Sequence, residues 1–263
     1  MNKTILLLSA VFFFASCKKT EKPSEENTTI STDSTMVKTV DKANYLLEAL
    51  QSTVAPIIDG DSMDFCWENQ SWYPINNIWL GNEYTDEDFA GRFKLAWDST
   101  KLYLLVEIKD DILIDKYEKW DSLWWNDDCV EIFLDEDNGD DLHQFNHKAF
   151  AYHVALNCQD VVDLGPDSLP HLYNDHLKAA KQTSGNNTIW EFAINIYDDQ
   201  YRDGHKNTPV TLMKGKKMGF CLNYCDSDTS ALRENFISSI PVVGEDKDQG
   251  WKDAGVFNDL ILK

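Results

Sequence analysis

From about residue 92 the chain is written largely with a period of two. Phe93, Leu95 and Trp97 alternate with Arg92, Lys94 and Ala96, the polar stretch Asp98-Ser-Thr-Lys101 intervenes, and Leu102, Leu104, Val106 and Ile108 take up the alternation again. Alternation on both sides of turn residues predicts a β-hairpin. Cys129–Asp135 predicts a third strand, with Val130, Ile132 and Leu134 on one face and Cys129, Glu131, Phe133 and Asp135 on the other. A turn cluster, Asp137-Asn-Gly-Asp-Asp141, follows. Residues 145–156 read as one or two strands, and 189–196 as another, with Trp190, Phe192, Ile194 and Ile196 sharing a face. Met218, Phe220, Leu222 and Tyr224 oppose Cys221, Asn223 and Cys225, and 256–262 forms a last strand. Only 45–51 and 175–181 suggest short helices. Short, evenly spaced strands of this kind predict an all-β fold, a two-sheet antiparallel sandwich with at most short helices.

The first forty residues break the pattern. Met1-Asn-Lys is a short positive start, and residues 5–15 form an apolar run broken only by Ser9. That run is shorter than the ~20 residues a bilayer span needs and has the length of a secretory-signal core. Phe14-Ala-Ser-Cys17 then resembles the lipobox of bacterial lipoproteins, which implies cleavage before Cys17 and its acylation. The chain would then sit at a bacterial cell envelope, touching the membrane through lipid alone. A plain cleaved signal is the alternative. Residues 18–40 are rich in Ser, Thr, Glu and Lys, too polar to bury themselves, and are expected to form a disordered tether. One folded domain is expected over 41–263.

Composition narrows the function classes. Thirteen Phe, ten Tyr and nine Trp exceed what a core of this size needs, so some aromatics are expected on a binding surface. The formal net charge of −21 disfavours nucleic acid and anionic membranes. It suits neutral ligands, or calcium with its oxygen ligands. Five cysteines remain after Cys17, so at least one is unpaired. On one extended strand Cys221 and Cys225 would lie roughly 13 Å apart, beyond disulfide reach; the cysteines read mostly as small buried side chains. His143, His147 and His153 do not have zinc-site spacing, and nothing sets Met63, Met213 or Met218 opposite a histidine as haem ligation requires. There is no Gly-x-Ser-x-Gly elbow and no phosphate-cradling glycine loop. Asp110-Asp111, Asp127-Asp128 and Asp140-Asp141 are expected to be solvated turns, with calcium as the alternative for one pair.

Candidate chemistry concentrates in Asp121-Ser-Leu-Trp-Trp-Asn-Asp-Asp-Cys-Val-Glu-Ile-Phe-Leu-Asp135. The strand lifts Glu131 into the neighbourhood of Trp125. An aromatic plate beside a carboxylate suits a sugar: the ring packs on the pyranose C–H face and the carboxylate accepts two hydroxyls. Burial of both tryptophans in a core is the competing expectation.

Several pieces, in this order and spacing, resemble the family 9 carbohydrate-binding modules. They are Ile58-Asp-Gly60 with Trp67, Phe93-Lys-Leu-Ala-Trp-Asp98, Leu102-Tyr-Leu-Leu-Val-Glu-Ile-Lys-Asp-Asp111 and Trp125-Asn-Asp-Asp-Cys-Val-Glu-Ile-Phe-Leu-Asp135. His143-Gln-Phe145, Trp190-Glu-Phe-Ala-Ile194, Gly219-Phe-Cys-Leu-Asn223, Trp251-Lys-Asp253 and Phe257-Asn-Asp-Leu260 follow. The resemblance implies a jelly-roll or DOMON-like sandwich whose two tryptophans, here Trp125 and Trp251, clamp the terminal sugar of a glucan or xylan chain. Glu131 matches the hydroxyl-binding glutamate. Asn146 stands where the family has a sugar-binding arginine, Asn223 where it has a glutamine, and Asp248 where an asparagine precedes the second tryptophan. Non-catalytic binding of glycan ends by a monomer follows, with no required cofactor; structural calcium is implied, but without assignable ligands. A glycoside hydrolase or its accessory part, and a structural envelope protein that has lost the ligand, stand as the alternatives.

Overall fold

The computed structural model describes residues 40–117, 119–228 and 232–263, which belong to one compact unit. The expected leader, Cys17 and the tether lie outside the described residues. Among the described residues fourteen strands are joined by hydrogen bonds, and the helical elements are single 3₁₀ turns of three or four residues. In chain order the strands are β1 (Leu47–Gln51), β2 (Tyr73–Ile75), β3 (Asn77–Leu80), β4 (Phe89–Trp97), β5 (Leu102–Asp110), β6 (Cys129–Asp135) and β7 (Phe150–Ala155). There follow β8 (Val161–Leu164), β9 (Pro170–Leu172), β10 (Leu177–Ser184), β11 (Asn187–Ile194), β12 (Lys217–Asp226), β13 (Asn235–Ser238) and β14 (Asn258–Leu262).

One layer carries β10-β11-β5-β4 with β2 on β4; the other carries β14-β12-β6-β7-β8-β9 with β13 on β12 and β3 on β13. Strand β1 links them. Its first half pairs with β14 and its second half with β4, both parallel, so the sheet is mixed where uniform antiparallel pairing was expected. The alternating residues meet between the layers: Phe93 packs on Phe220 (ring centroids 5.9 Å apart) and Phe89 stacks on Tyr224 (5.3 Å). Trp190, Phe192, Ile194, Val130, Ile132, Leu134 and Met218 are part of the same core. Each such side chain, fully buried, contributes about 1.5–3 kcal/mol.

Both helical expectations fail. A 3₁₀ turn at Lys42–Tyr45 precedes β1, and 177–184 is a strand that pairs with β11 at eight positions. Leu, Glu, Ala and Gln are all good helix formers, but intrinsic propensity is small per residue and tertiary context overrides it. In β1 that preference yields to the backbone groups that β14 and β4 leave to be paired. The hairpin forms as expected, β4 against β5, and the Asp98 carboxylate accepts from the backbone of Thr100 and Lys101 at its turn.

The outer faces of the layers are also covered. On one, Glu191 accepts from the backbone N–H groups of Asp59 and Gly60 and from Trp67 Nε1 (2.9 Å). A Cβ on Gly60, which has φ +85°, would come within 2.6 Å of the β10 backbone. Ile58-Asp-Gly60, Trp67 and Trp190-Glu-Phe are thus one structural lock. On the other, Trp79, Phe133, Phe236 and Phe257 form a second cluster under the C-terminal loops. The candidate site opens on that face.

Candidate functional site

Trp125 lies in a 3₁₀ turn, Trp124–Asn126, that leads into β6. The three polar residues after it are staples. Asn126 Oδ1 accepts from Arg233 N (3.2 Å), and Asp127 accepts from the N–H groups of Lys116 (2.9 Å) and Tyr117 (2.8 Å). Asp128 accepts from the N–H groups of Ile114 and Ser227. Asn126 and Asp127 thereby tie the tryptophan turn to two other loops. Trp124 meets Trp125 edge-on at 4.8 Å and leaves it 37% exposed.

Trp251 ends the 3₁₀ turn Gln249–Trp251. His143 Nε2 donates to Gly250 O (2.9 Å), His143 N donates to Lys252 O (2.9 Å), and Phe145 packs edge-on against Trp251. His143-Gln-Phe145 is therefore the bracket of the second tryptophan. Burial lowers the His143 pKa to about 4, which keeps the ring neutral. Gly250 has no room for a side chain: a Cβ there would fall 2.5 Å from Phe133 and 2.6 Å from Trp79.

Trp125 and Trp251 line one cavity of about 390 Å³, together with Glu131 and Asp248. That volume lies in the range of small-molecule sites. The same wall holds Arg233, Trp124, His153 and Asp163, which the sequence reading did not single out as site residues. Arg233 Nη2 donates to Asp248 Oδ1 (3.1 Å), Nη1 stands 3.9 Å from Glu131 Oε1, and the guanidinium lies over Phe236 (4.3 Å). Burial raises the Glu131 pKa, which Arg233 and the Cys225 thiol oppose. Asp163, which accepts from Ala151 N and Leu164 N, is pushed by burial to about 7.

Asn146 and Asn223 are not among the lining residues. Asn146 closes a turn, donating to the carbonyls of Leu142 and Gln144 and accepting from Lys148 N. Asn223 is fully buried, paired across β12–β6 with Glu131, and its Oδ1 accepts from the Cys221 thiol. The arginine in the cavity wall is Arg233, about a hundred residues from β6 in sequence. A hydrophobic-to-polar pattern offers no sign of this, because Arg233 lies in the segment before β13 and outside any alternation.

The acidic pairs also differ from expectation. Asp140 and Asp141 are exposed, but Asp110, Asp127 and Asp128 are buried. Carboxylate oxygens of Asp110, Asp226 and Asp228 lie within 4.8 Å of one another, as do those of Asp88, Asp228 and Glu234. Asp226 is 1% exposed and neither of its oxygens has a hydrogen-bond partner. Burial, followed by the neighbouring acids, pushes Asp226 to about 8; burial followed by Asp111 pushes Asp228 to about 7. An all-oxygen donor set with unpartnered buried carboxylates fits a hard divalent cation such as calcium.

Fold and cavity thus define a β-sandwich with a largely apolar, ring-lined slot on one face into which a few charged groups reach. Residues 58–263 match the family described as "Carbohydrate family 9 binding domain-like", and the chain belongs to that family. It is 30% identical over 112 residues to "Endo-1,4-beta-xylanase A" of Thermotoga maritima, 41% of this chain and 10% of that protein. It is 25% identical over 211 residues to "Exoglucanase XynX" of Acetivibrio thermocellus, 79% of this chain and 16% of that protein. The chain thus spans a small part of the curated relatives it matches. A family 9 carbohydrate-binding module from Caldicellulosiruptor kristjanssonii in complex with cellotriose superposes with a TM-score of 0.61 at 22% identity, covering 83% of this chain and 93% of that one. A putative carbohydrate-binding protein from Bacteroides uniformis gives 0.56 at 14% identity, covering 83% of this chain and 99% of that one.

Proposed function

We propose that the domain is a non-catalytic binding module that holds the terminal sugar of a β-glucan or xylan chain between Trp125 and Trp251. The observation that carries this reading is the convergence of both indoles on one cavity with Glu131, Asp248 and Arg233 in its wall. Two ring faces take the C–H surfaces of a pyranose. Glu131 and Asp248 accept hydroxyl hydrogen bonds, and the Arg233 fork donates to ring or hydroxyl oxygens. Relatives named as xylanases and an exoglucanase, and a family structure holding cellotriose, support the same ligand class. Titration calorimetry with cellotriose, glucose and xylo-oligosaccharides is expected to give saturable micromolar to millimolar binding, roughly −4 to −8 kcal/mol. Incubation with the same glycans is expected to release no new reducing ends; their appearance would move the protein to the glycoside hydrolases.

Calcium held by Asp110, Asp226 and Asp228, at the ends of β5 and β12 and in the segment after β12, would neutralise the buried carboxylates. Chelation is expected to lower the melting temperature by about 5–10 °C relative to protein in calcium at a hundred times its Kd. An unchanged melt would remove calcium from the description.

Anchoring at the envelope through Cys17 rests on the Phe14-Ala-Ser-Cys17 stretch. Metabolic labelling with palmitate should mark the wild-type chain and leave Cys17→Ala unlabelled.

A further inference from the structure

We propose that Cys129, Glu131, His153 and Cys225 form a site for a zinc-class divalent ion at the floor of the cavity. Strands β7, β6 and β12 lie side by side. Their registers set His153 opposite Glu131 and Cys129 opposite Cys225. The alternation of β6 puts Cys129 and Glu131 on one face, away from Val130 and Ile132. A sulfur, a carboxylate oxygen and an imidazole nitrogen from Cys129, Glu131 and His153 consequently lie within 4.8 Å of one another. The Cys225 thiol joins them, donating to Glu131 Oε1 at 3.3 Å.

Two features mark this set as more than core. His153 is 3% exposed, yet neither of its ring nitrogens has a hydrogen-bond partner. A buried imidazole without partners loses the hydration of both nitrogens, and a metal bond restores one of those interactions. Neutral imidazole binds a metal through either ring nitrogen. The chemistry of the set is also selective. Thiolate sulfur with imidazole favours zinc-class ions over calcium or magnesium, which take oxygen.

The charges balance. Without an ion, Glu131 is offset by Arg233, whose Nη1 stands 3.5 Å from Cys225 Sγ, and accepts a hydrogen bond from the Cys225 thiol. Binding replaces the proton of each ligating thiol by its bond to the divalent cation, and the protons leave to solvent. A tetrahedral ion with bonds of about 2.0–2.3 Å spaces its donors by about 3.3–3.8 Å. The donors of Cys129, Glu131 and His153, which lie within 4.8 Å of one another, reach that spacing by an inward closure of up to about 1 Å, and rotation of the Cys225 side chain, beside Glu131 at 3.3 Å, brings in the fourth. Glu131 and His153 both line the cavity, which gives the ion a path from solvent. This site differs from the oxygen cluster of Asp110 and Asp226, and it does not depend on the cavity taking a sugar.

The test is titration of the reduced, chelator-treated full chain with Co²⁺ and then Zn²⁺. Cobalt is expected to give an intense near-ultraviolet thiolate charge-transfer band that saturates at one ion per chain and is displaced by zinc, with about two protons released per ion. Oxygen-only sites give no such band. Cys129→Ser and His153→Ala are each expected to weaken binding at least tenfold, and Cys158→Ser to leave it unchanged. Should the first two variants misfold, the wild-type chain decides: Cys129 and Cys225 are fully buried and Cys158 is not, so brief iodoacetamide treatment of the folded chain is expected to modify Cys158 and leave the cobalt band intact. Absence of the band, a band that survives Cys129→Ser, or a band lost on that treatment would overturn the site.

Discussion

Trp125→Ala and Trp251→Ala are each expected to weaken glycan binding ten- to hundredfold while the domain stays folded. One indole plate contributes on the order of 1.5–3 kcal/mol of buried apolar contact, which sets that change in Kd. A micromolar Kd then moves to roughly 10–100 μM, and a millimolar one passes beyond practical titration. Neither side chain belongs to the main core: Trp125 is 37% exposed, and Trp251 is partly buried at the edge of the second cluster. Circular dichroism and the melting temperature should therefore stay near wild type. An isotherm for either variant that matches wild type would end the two-plate clamp, whatever else the cavity holds.

Arg233→Met is expected to have the second largest effect, on binding and on stability together. The substitution keeps most of the stem that covers Phe236 and removes the guanidinium between Glu131 and Asp248. Glu131 would then be a buried carboxylate with no cation beside it, and its already raised pKa would rise further. Breaking a fully buried pair costs about 3–5 kcal/mol, and the exposure of Asp248 brings the expected loss down to about 2–3 kcal/mol. Urea unfolding measures that loss; calorimetry with cellotriose measures the lost donor. Arg233→Lys separates the two, because a lysine keeps the charge and loses the fork. It is expected to fold near wild type and bind weakly. Wild-type affinity in both variants would show that Arg233 shapes the wall without touching the sugar.

The family signature proved more architectural than its ligand-binding reputation implies. Asn126, Asp127 and Asp128 follow the first tryptophan as loop staples, and His143 and Phe145 bracket the second. Glu191 gathers the Ile58-Asp-Gly60 loop and Trp67. Such residues fix where the plates stand. Around them, Asn146 is a turn residue outside the cavity, while Arg233 reaches the cavity wall from another segment.

Side-chain alternation by itself determined the inward faces of β4, β5, β6, β11 and β12 and the hairpin at Asp98, because a period of two is set by neighbours along the strand. The pair Trp125 and Trp251 came from the family resemblance, since both lie in 3₁₀ turns outside any alternation. Alternation could not determine the path of β1. The sequence 47–51 is locally compatible with helix, and only the unpaired backbone of β14 and β4 makes it a strand. Nor could it bring Arg233 to Glu131, unite His153 with Cys129, or bury Asp226 without a partner. Those arrangements join residues far apart in the chain, and their energies arise only when the sheet registers and loop closures exclude water from between them.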